Sequence, residues 1–162
     1  MTTTLHPSNA AVIFEKARDF GVENDLAYAG AVTPEQAWEL ARCGAAHIVD
    51  VRSRFEYEFV GKVPGSQLIE WRTYEGNAEG GVTSRPNPAF LEQLRRLHDQ
   101  ETPLLLLCRS AVRSHNAAIA ATRAGFPNVY NILEGFEGDK DATGRRGHAG
   151  GWRKANLPWT QG

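Results

Sequence analysis

A run of four leucines, Leu104 to Leu107, ends directly at Cys108, and a short polar loop leads from there into an alanine-rich segment that runs to Gly125. A continuous apolar run this short, preceded by Pro103 and followed by a polar loop, is typical of a strand that is buried on both faces of a parallel sheet. The segment after the loop has the composition of a helix. The chain is therefore constrained to an α/β fold in which Cys108 lies at the carboxyl end of a buried strand.

The rest of the chain alternates between strand-like and helix-like segments. Helices are predicted to begin at Thr33-Pro34, where threonine caps the helix and proline fills its first turn, and at Asn87-Pro88. Strands that alternate with helices indicate a parallel sheet with helices on both faces. The stretch 71–85 is rich in Gly, Asn and Glu and is predicted to be a long irregular loop. Besides the leucine run, the predicted strands are 26–32, 47–51, 66–69 and 128–133.

Length and composition place the chain among ordinary single-domain proteins. It has 162 residues and a formal net charge of −1, so nothing draws it generally to nucleic acid or to anionic membranes. Two cysteines cannot form the framework of a disulfide-rich secreted domain, and the first nine residues show no signal-peptide pattern. We therefore expect a cytoplasmic protein with no membrane and no nucleic-acid partner. The five histidines show no paired ligand spacing, so no metal site is predicted.

Polar residues follow the predicted strands at the points where the strands end. Asp50 and Arg52 lie at the end of strand 47–51, Trp71 and Arg72 follow strand 66–69, residues 108–113 follow the leucines, and residues 134–151 follow the last strand. In parallel α/β sheets the ligand crevice forms beyond the carboxyl ends of the strands. These groups are therefore expected to share one edge of the sheet and to form the functional site.

Cys108 is the candidate nucleophile. A thiol between the end of a strand and the start of a helix lies in the positive end of the helix dipole, near backbone N–H groups that have no helical partner. A loop this short can point successive N–H groups at the sulfur and at any anion on it, which favours the thiolate. Cys43 lies near the carboxyl end of a predicted helix, where the dipole opposes ionisation, and is interpreted as a core or inert thiol.

Several motifs carry a resemblance to a known family. They are IVDVRSRFEYEFVGKVPGS (48–66), CRSAVRS (108–114), NVYNILEGF (128–136) and the closing residues GW and LPW (151–152 and 157–159). Together they resemble the single-domain rhodaneses, which are thiosulfate or other sulfane-sulfur transferases, and the similarity extends from Val32 to Trp159. The resemblance implies a three-layer rhodanese-like fold with a central, mostly parallel five-stranded sheet. Residues 1–25 would then be an amino-terminal helical extension and residues 26–162 the catalytic domain.

This resemblance also implies a rhodanese-type sulfurtransferase that works through a persulfide on Cys108, with no cofactor and no metal. The thiolate attacks the outer sulfur of thiosulfate or a related small anionic donor, sulfite leaves, and a thiol, cyanide or protein acceptor then takes the sulfur. The residues expected to bind the substrate and the persulfide are Arg109, Ser110, Ala111, Val112, Arg113 and Ser114.

The arginines near Cys108 are given different roles. Arg109 is expected to point outward and to be the main contact for thiosulfate. Arg113 either contacts the substrate or holds the loop closed by pairing with an acid, and we favour a structural pair with Asp50. Arg52 is interpreted either as a solvated arginine at the strand end or as an electrostatic guide for anionic donors.

Two alternative functions remain open from the sequence. Cys108 and Arg113 enclose four residues, one fewer than in the related cysteine phosphatases and arsenate reductases, whose wider loop holds a tetrahedral oxyanion. The shorter loop therefore favours sulfur over an oxyanion. The other alternative is a rhodanese-like module that binds a partner without turnover, which the presence of the cysteine and both loop arginines disfavours.

Two features depart from the family pattern. Ala111 stands where the family often has glycine, and if this position needs a positive φ, alanine costs about 1 kcal/mol. The segment 137–151 is longer than the family's compact ending and carries Arg145, Arg146 and His148. A solvated charge cluster is the favoured interpretation of these three residues, and selection of the sulfur acceptor is the functional hypothesis.

Overall fold

Five parallel strands form the central sheet of the protein. The computed structural model describes residues 7–162, with side chains from Asn9 onward. A short π-helical turn, Glu56–Val60, lies between the second and third strands. In chain order the other elements are α1 (Pro7–Glu23), β1 (Gly30–Val32), α2 (Pro34–Arg42), β2 (His47–Asp50), β3 (Gln67–Leu68), β4 (Arg72–Gly76), β5 (Val82–Pro86), α3 (Phe90–Leu97), β6 (Leu104–Leu107), α4 (Val112–Arg123) and β7 (Val129–Ile132).

The strand order of the main sheet is β1-β7-β6-β2-β3, with every neighbouring pair parallel. The leucine strand β6 is at the centre, between β7 and β2. The carboxyl ends of these strands therefore meet at one edge of the sheet, where the sequence places its polar residues. The predicted α/β fold with a five-stranded parallel sheet is confirmed.

The central strand β6 is held by its four leucines. Leu104 and Leu106 pack with buried residues of α3 and α4 on one face, while Leu105 and Leu107 pack with residues of α2 and with Trp152 on the other. All four are completely buried, and burial of each leucine side chain stabilises the fold by about 1.5–3 kcal/mol. Helices therefore cover both faces of the sheet, as the uninterrupted apolar run predicts.

Helix α2 begins as its sequence predicts. The Thr33 hydroxyl accepts a hydrogen bond from the Gln36 amide at 3.1 Å, and the Gln36 side chain accepts one from the Thr33 amide at 3.0 Å. Cys43 follows the last residue of this helix and is exposed, so its interpretation as a core thiol is wrong. The reason is its position in the surface turn between α2 and β2.

Helix α1 packs against the first strand of the sheet. A Cβ atom at Gly30 would lie 1.9 Å from the carbonyl oxygen of the buried Ala17, so the close contact requires glycine at this position. The strand predicted at 26–32 is shorter than expected and begins at Gly30. Residues 1–6 of the predicted extension lie outside the described residues. Within residues 7–162, no helix is both long and apolar enough to cross a membrane.

The stretch 71–85, predicted to be an irregular loop, instead forms the antiparallel hairpin β4–β5. Its turn is closed by Asn77, whose Oδ1 accepts hydrogen bonds from the amides of Glu79 at 3.1 Å and Gly81 at 2.8 Å. The hairpin is largely exposed, so its strands lack the alternation of apolar and polar residues by which strands are recognised. It brings Arg72 and Tyr74 to the site described next.

Candidate active site

Cys108 is the first residue after β6, and α4 begins at Val112; residues 108–114 are called the Cys108 loop below. Cys108 is only 1% exposed. The backbone amides of Arg109, Ser110 and Ala111 donate no hydrogen bond to an acceptor in the described chain. Unpaired amides at the start of a helix are donors suited to an anion, and the helix dipole adds to their attraction. The thiol therefore lies beside three backbone hydrogen-bond donors that can bind an anion.

Ala111 adopts the left-handed backbone conformation, with φ 71° and ψ 3°. The positive φ that the sequence raised as a possibility is therefore present. Asn131, on the neighbouring strand β7, donates from its Nδ2 to the Ala111 carbonyl at 3.1 Å. This hydrogen bond holds the loop in a conformation that costs an L-residue about 1–2 kcal/mol.

Substitutions at Ala111 are expected to follow this conformation. Ala111→Gly removes about 1 kcal/mol of backbone strain from the folded state. Glycine also raises the conformational entropy of the unfolded chain, which lowers stability by about 0.4–1 kcal/mol. The two effects offset each other, so the variant should be as stable as the wild type. Ala111→Val places a β-branched side chain at positive φ and should lower the free energy of unfolding by more than about 1 kcal/mol. Urea denaturation measures both. A valine variant as stable as the wild type would show that the loop does not depend on this backbone geometry.

The Cys108 thiol is linked to β7 through Ser114. Its Sγ lies 3.2 Å from the Ser114 hydroxyl oxygen, and that hydroxyl donates to Asn131 Oδ1 at 2.6 Å. The Ser114 proton is thus committed to Asn131, so that in the thiol state Cys108 is the donor to Ser114. Asn131 therefore contacts both ends of the Cys108 loop, the Ala111 carbonyl and the Ser114 hydroxyl.

Arg113 closes the loop by pairing with Glu56, not with Asp50. Its Nη1 donates to Oε1 at 2.7 Å and its Nη2 to Oε2 at 2.8 Å, and Nη1 also donates to the Tyr74 hydroxyl at 3.1 Å. The predicted role as a loop-closing arginine agrees with this geometry, but the predicted partner is wrong. Burial would raise the pKa of the Glu56 carboxyl, yet the hydrogen bonds and charge of Arg113 hold that pKa below its usual value.

Asp50 is instead paired with Arg52 inside the fold. The Arg52 Nε donates to Oδ1 at 3.0 Å and its Nη2 to Oδ2 at 2.6 Å and to the Gly61 carbonyl at 2.6 Å. The guanidinium also lies 4.4 Å from the Phe136 ring centroid. Complete burial raises the pKa of the Asp50 carboxyl, and the contacts with Arg52 oppose that rise. Because Arg52 is completely buried, both interpretations of it as a solvated arginine or a guide for donors are wrong.

The contribution of the Glu56–Arg113 pair to stability is expected to depend on pH. The pKa of Glu56 is lower in the folded state than in the unfolded chain, where it is about 4.3. The pair therefore stabilises the fold fully above that value, and the stabilisation is lost as the pH falls through the folded pKa. Glu56→Gln should have a lower free energy of unfolding than the wild type at neutral pH, and the difference should shrink in acid.

Urea denaturation at neutral pH and at a pH of about 3 to 4 tests this dependence. Glu92→Gln is a matched control, because it removes a glutamate whose ion pair with Arg96 is exposed. Such a pair contributes less than about 1 kcal/mol. An equal deficit of Glu56→Gln at both pH values would contradict the expected linkage.

The Cys108 loop forms one wall of a pocket of about 440 Å³. Glu56 is the one carboxylate in its lining, and its charge is neutralised by Arg113. The Arg109 side chain is exposed at this pocket and has no hydrogen-bond or ion-pair partner in the described chain. The pocket is therefore positive and suited to anions. The part of the chain that the structure describes contains no group of three or more His, Cys, Asp or Glu side chains able to hold a metal ion.

Residues 137–151 bring a further arginine to the pocket. The turn in this segment is built around Asp141, whose Oδ1 accepts hydrogen bonds from the Thr143 amide at 2.8 Å and the Arg145 amide at 3.0 Å. The Thr143 hydroxyl also donates to it, and these contacts together hold the pKa of Asp141 well below its usual value. The side chain of Arg146 turns inward from this turn.

Of the three basic residues interpreted as a solvated cluster, only two fit that interpretation. Arg145 and His148 are exposed, but Arg146 is half-buried and lines the pocket. Its Nη1 donates to the Gly138 carbonyl at 2.7 Å, which fixes the guanidinium in the pocket wall. The segment 137–151 therefore contributes to the candidate site through Arg146.

The end of the motif NVYNILEGF packs against the backbone of the Cys108 loop. Gly135 has a φ of 70°, and a Cβ atom there would lie 2.5 Å from the carbonyl carbon of Arg109. The Phe136 amide donates to the Cys108 carbonyl at 2.8 Å, and the Glu137 amide to the Arg109 carbonyl at 3.0 Å. Gly135 and Phe136 of the motif, together with the following residue Glu137, thus fix the backbone at the start of the loop.

Of the two residues expected at this edge after strand 66–69, Arg72 lines the pocket, whereas Trp71 packs against the core. Three residues at the site were not predicted from the sequence. Glu56 and Asn131 carried a signal, since Glu56 lies within the 48–66 motif and Asn131 is a polar residue inside an apolar strand. Tyr74 carried none, because the stretch that holds it was interpreted as an irregular loop. The structure brings together the Cys108 loop, Glu56 and the hairpin residues Arg72 and Tyr74, while Asp50 and Arg52 lie in the core and do not line the pocket.

The fold is an α/β domain with a parallel sheet, and its site is a loop that carries a cysteine between the central strand and a helix. The chain belongs to the rhodanese-like domain family, whose model matches residues 33–142. Within this class the loop spacing of four residues between Cys108 and Arg113 agrees with that assignment.

Individual proteins are similar to this chain in sequence or in fold. The crystal structure of Rv0390 from M. tuberculosis has 43% sequence identity and a TM-score of 0.68, with 83% of this chain and 99% of that chain covered. Thiosulfate sulfurtransferase GlpE of Haemophilus influenzae is 27% identical over 127 residues, with 78% of this chain and 90% of the relative covered. The polysulfide-sulfur transferase homodimer from Wolinella succinogenes shares the fold, with 20% identity, a TM-score of 0.53 and coverage of 89% and 88%.

Proposed function

We propose that this protein is a rhodanese-type sulfurtransferase that carries a sulfane sulfur as a persulfide on Cys108. The observation that carries the proposal is the position of the Cys108 thiol at a positive pocket, beside the unpaired amides of Arg109, Ser110 and Ala111. A persulfide is an anion one atom longer than a thiolate, so these donors would stabilise it in place. The similarity to relatives named thiosulfate sulfurtransferase supports the same class of reaction.

The proposed reaction has two steps in which charge and atoms balance. The Cys108 thiolate attacks the outer sulfur of thiosulfate, the S–S bond of thiosulfate breaks, and its electron pair leaves with sulfite. An acceptor nucleophile then attacks the outer sulfur of the persulfide, and the electron pair of that S–S bond returns to Cys108 as the thiolate. The Arg109 guanidinium, which has no other partner in the described chain, would bind the oxygens of the anionic donor.

The partners of this reaction are a small anionic sulfur donor and a thiol, cyanide or protein acceptor. The covalent persulfide is the carrier, so the reaction as proposed needs neither a cofactor nor a metal. A reducing compartment such as the cytoplasm keeps both Cys108 and thiol acceptors in the reduced form that the reaction requires.

Incubation with thiosulfate tests the proposal directly. The protein is expected to gain the mass of one sulfur atom and to release one equivalent of sulfite, and later addition of cyanide should restore the original mass with formation of thiocyanate. A protein that gains no sulfur and releases no sulfite would overturn the proposal. Hydrolysis of an aryl phosphate or reduction of arsenate by the same sample would instead support an oxyanion enzyme.

A further inference from the structure

The positive charge of the pocket exceeds the two negative charges of thiosulfate. Besides Arg113, whose charge is matched by Glu56, its lining carries Arg72, Arg109 and Arg146. None of these three forms an ion pair with a carboxylate in the chain from residue 7 to 162. If Arg109 binds the donor next to Cys108, two arginines are left for another anionic group.

Both remaining arginines are fixed in the pocket wall. Arg72 projects from β4, and its Nε donates to the Ser84 hydroxyl at 2.9 Å and its Nη2 to the Ser84 carbonyl at 3.2 Å. Arg146 donates to the Gly138 carbonyl. Each guanidinium is thus oriented by neutral groups and keeps its positive charge uncompensated. Preoriented guanidinium groups are well suited to bind carboxylates.

The size of the pocket agrees with a ligand larger than thiosulfate. Its volume of about 440 Å³ lies in the range of roughly 300–1,000 Å³ that is typical of sites for drug-sized organic molecules. Thiosulfate has only five heavy atoms and would occupy a small part of it. The space beyond the Cys108 loop is bordered by Arg72 and Arg146, so an organic acceptor there would meet both charges.

We propose that the preferred sulfur acceptor is a low-molecular-weight thiol that carries two carboxylates, bound by Arg72 and Arg146. This inference rests on the proposed function. The acceptor thiolate attacks the outer sulfur of the Cys108 persulfide, the S–S bond breaks, Cys108 leaves as the thiolate, and the product is the persulfide of the acceptor. Both reactants in this step are anions, and the two arginines offset the repulsion between them as the acceptor approaches.

The chain offers a matched control for each arginine. Arg85 lies on the same hairpin as Arg72, and Arg145 precedes Arg146, yet both controls are exposed and neither lines the pocket. A small thiol inside the pocket would respond to the half-buried pair alone. An acidic protein acceptor, which covers the outer surface, would respond to the exposed pair as well.

The experiment measures the second step separately. Protein loaded with sulfur from thiosulfate is mixed with mercaptosuccinate, 2-mercaptoethanol or cysteamine at equal thiolate concentrations, and the loss of the persulfide is followed by intact mass. The wild type should react at least about tenfold faster with the dicarboxylate than with the neutral thiol, and slowest with the cationic thiol. Arg72→Ala and Arg146→Ala should each lose most of this preference, whereas Arg85→Ala and Arg145→Ala should keep it.

Two outcomes would overturn the inference while leaving the proposed function intact. One is normal loading with thiosulfate but no preference for mercaptosuccinate in the wild type. The other is an equal loss in the exposed control variants, which would indicate a general surface potential and favour an acidic protein acceptor. Failure of loading itself would count against the proposed function, and the inference would fall with it.

Discussion

Replacing Cys108 by serine is expected to abolish sulfur loading, with no gain in mass from thiosulfate and a loss of transfer activity of at least about 1,000-fold. A hydroxyl group cannot form a persulfide, and no other described thiol lies in the pocket. The serine is close in size to cysteine and can keep the contact with the Ser114 hydroxyl. The fold should therefore be retained, which circular dichroism and urea denaturation would check.

Cys43→Ser is the matched control for this substitution. Cys43 is exposed and follows α2, away from the lining of the pocket. The control variant should load sulfur and turn over as the wild type does. If Cys43→Ser abolished loading, or if Cys108→Ser still gained a sulfur, the assignment of the nucleophile would be wrong.

The largest effect on stability is expected from Asp50→Asn, which should lower the free energy of unfolding by about 3–5 kcal/mol. The substitution leaves the Arg52 guanidinium completely buried without its counter-ion. A buried charge without a partner loses its hydration and gains no compensating attraction. Urea denaturation at neutral pH measures this change.

A double variant separates the buried charge from the loss of packing. In Asp50→Asn/Arg52→Met the charge is removed together with its partner, while the long side chain against Phe136 is kept. The double variant should therefore be more stable than Asp50→Asn alone. A single variant that loses less than about 1 kcal/mol would show that Arg52 finds other compensation.

The fold was predictable because its strongest signals are local. Four leucines in succession, followed by a cysteine and a helix, determine a buried strand and the direction in which the chain leaves it. The hairpin β4–β5 was not predictable in this way, because its residues are exposed and its strands carry no buried face. Its turn depends on side-chain hydrogen bonds of Asn77, which an alternation pattern does not contain.

The Cys108 loop was predictable from the sequence, but the side chains that pair with its residues were not. The spacing of Cys108 and Arg113 is a local property, and so is the position of Ala111 at a helix start. The partner of Arg113 depends on a choice between two acids, Asp50 and Glu56, which lie close together in the sequence. Arg52 turns back onto Asp50 and occupies both of its oxygens, and this leaves Glu56 for Arg113. That choice depends on the path of the chain after β2.

The strand order β1-β7-β6-β2-β3 has a consequence for how the molecule is made. Gly30 in the first strand pairs with Tyr130 in the last, so β1 has no neighbour in the sheet until β7 has been synthesised. Contacts between residues so distant in sequence have a large loop-closure cost and slow the rate of folding. Asn131, which holds the Cys108 loop, arrives with that same last strand. The Cys108 loop therefore cannot take its final conformation before β7 has been synthesised and has paired with the sheet.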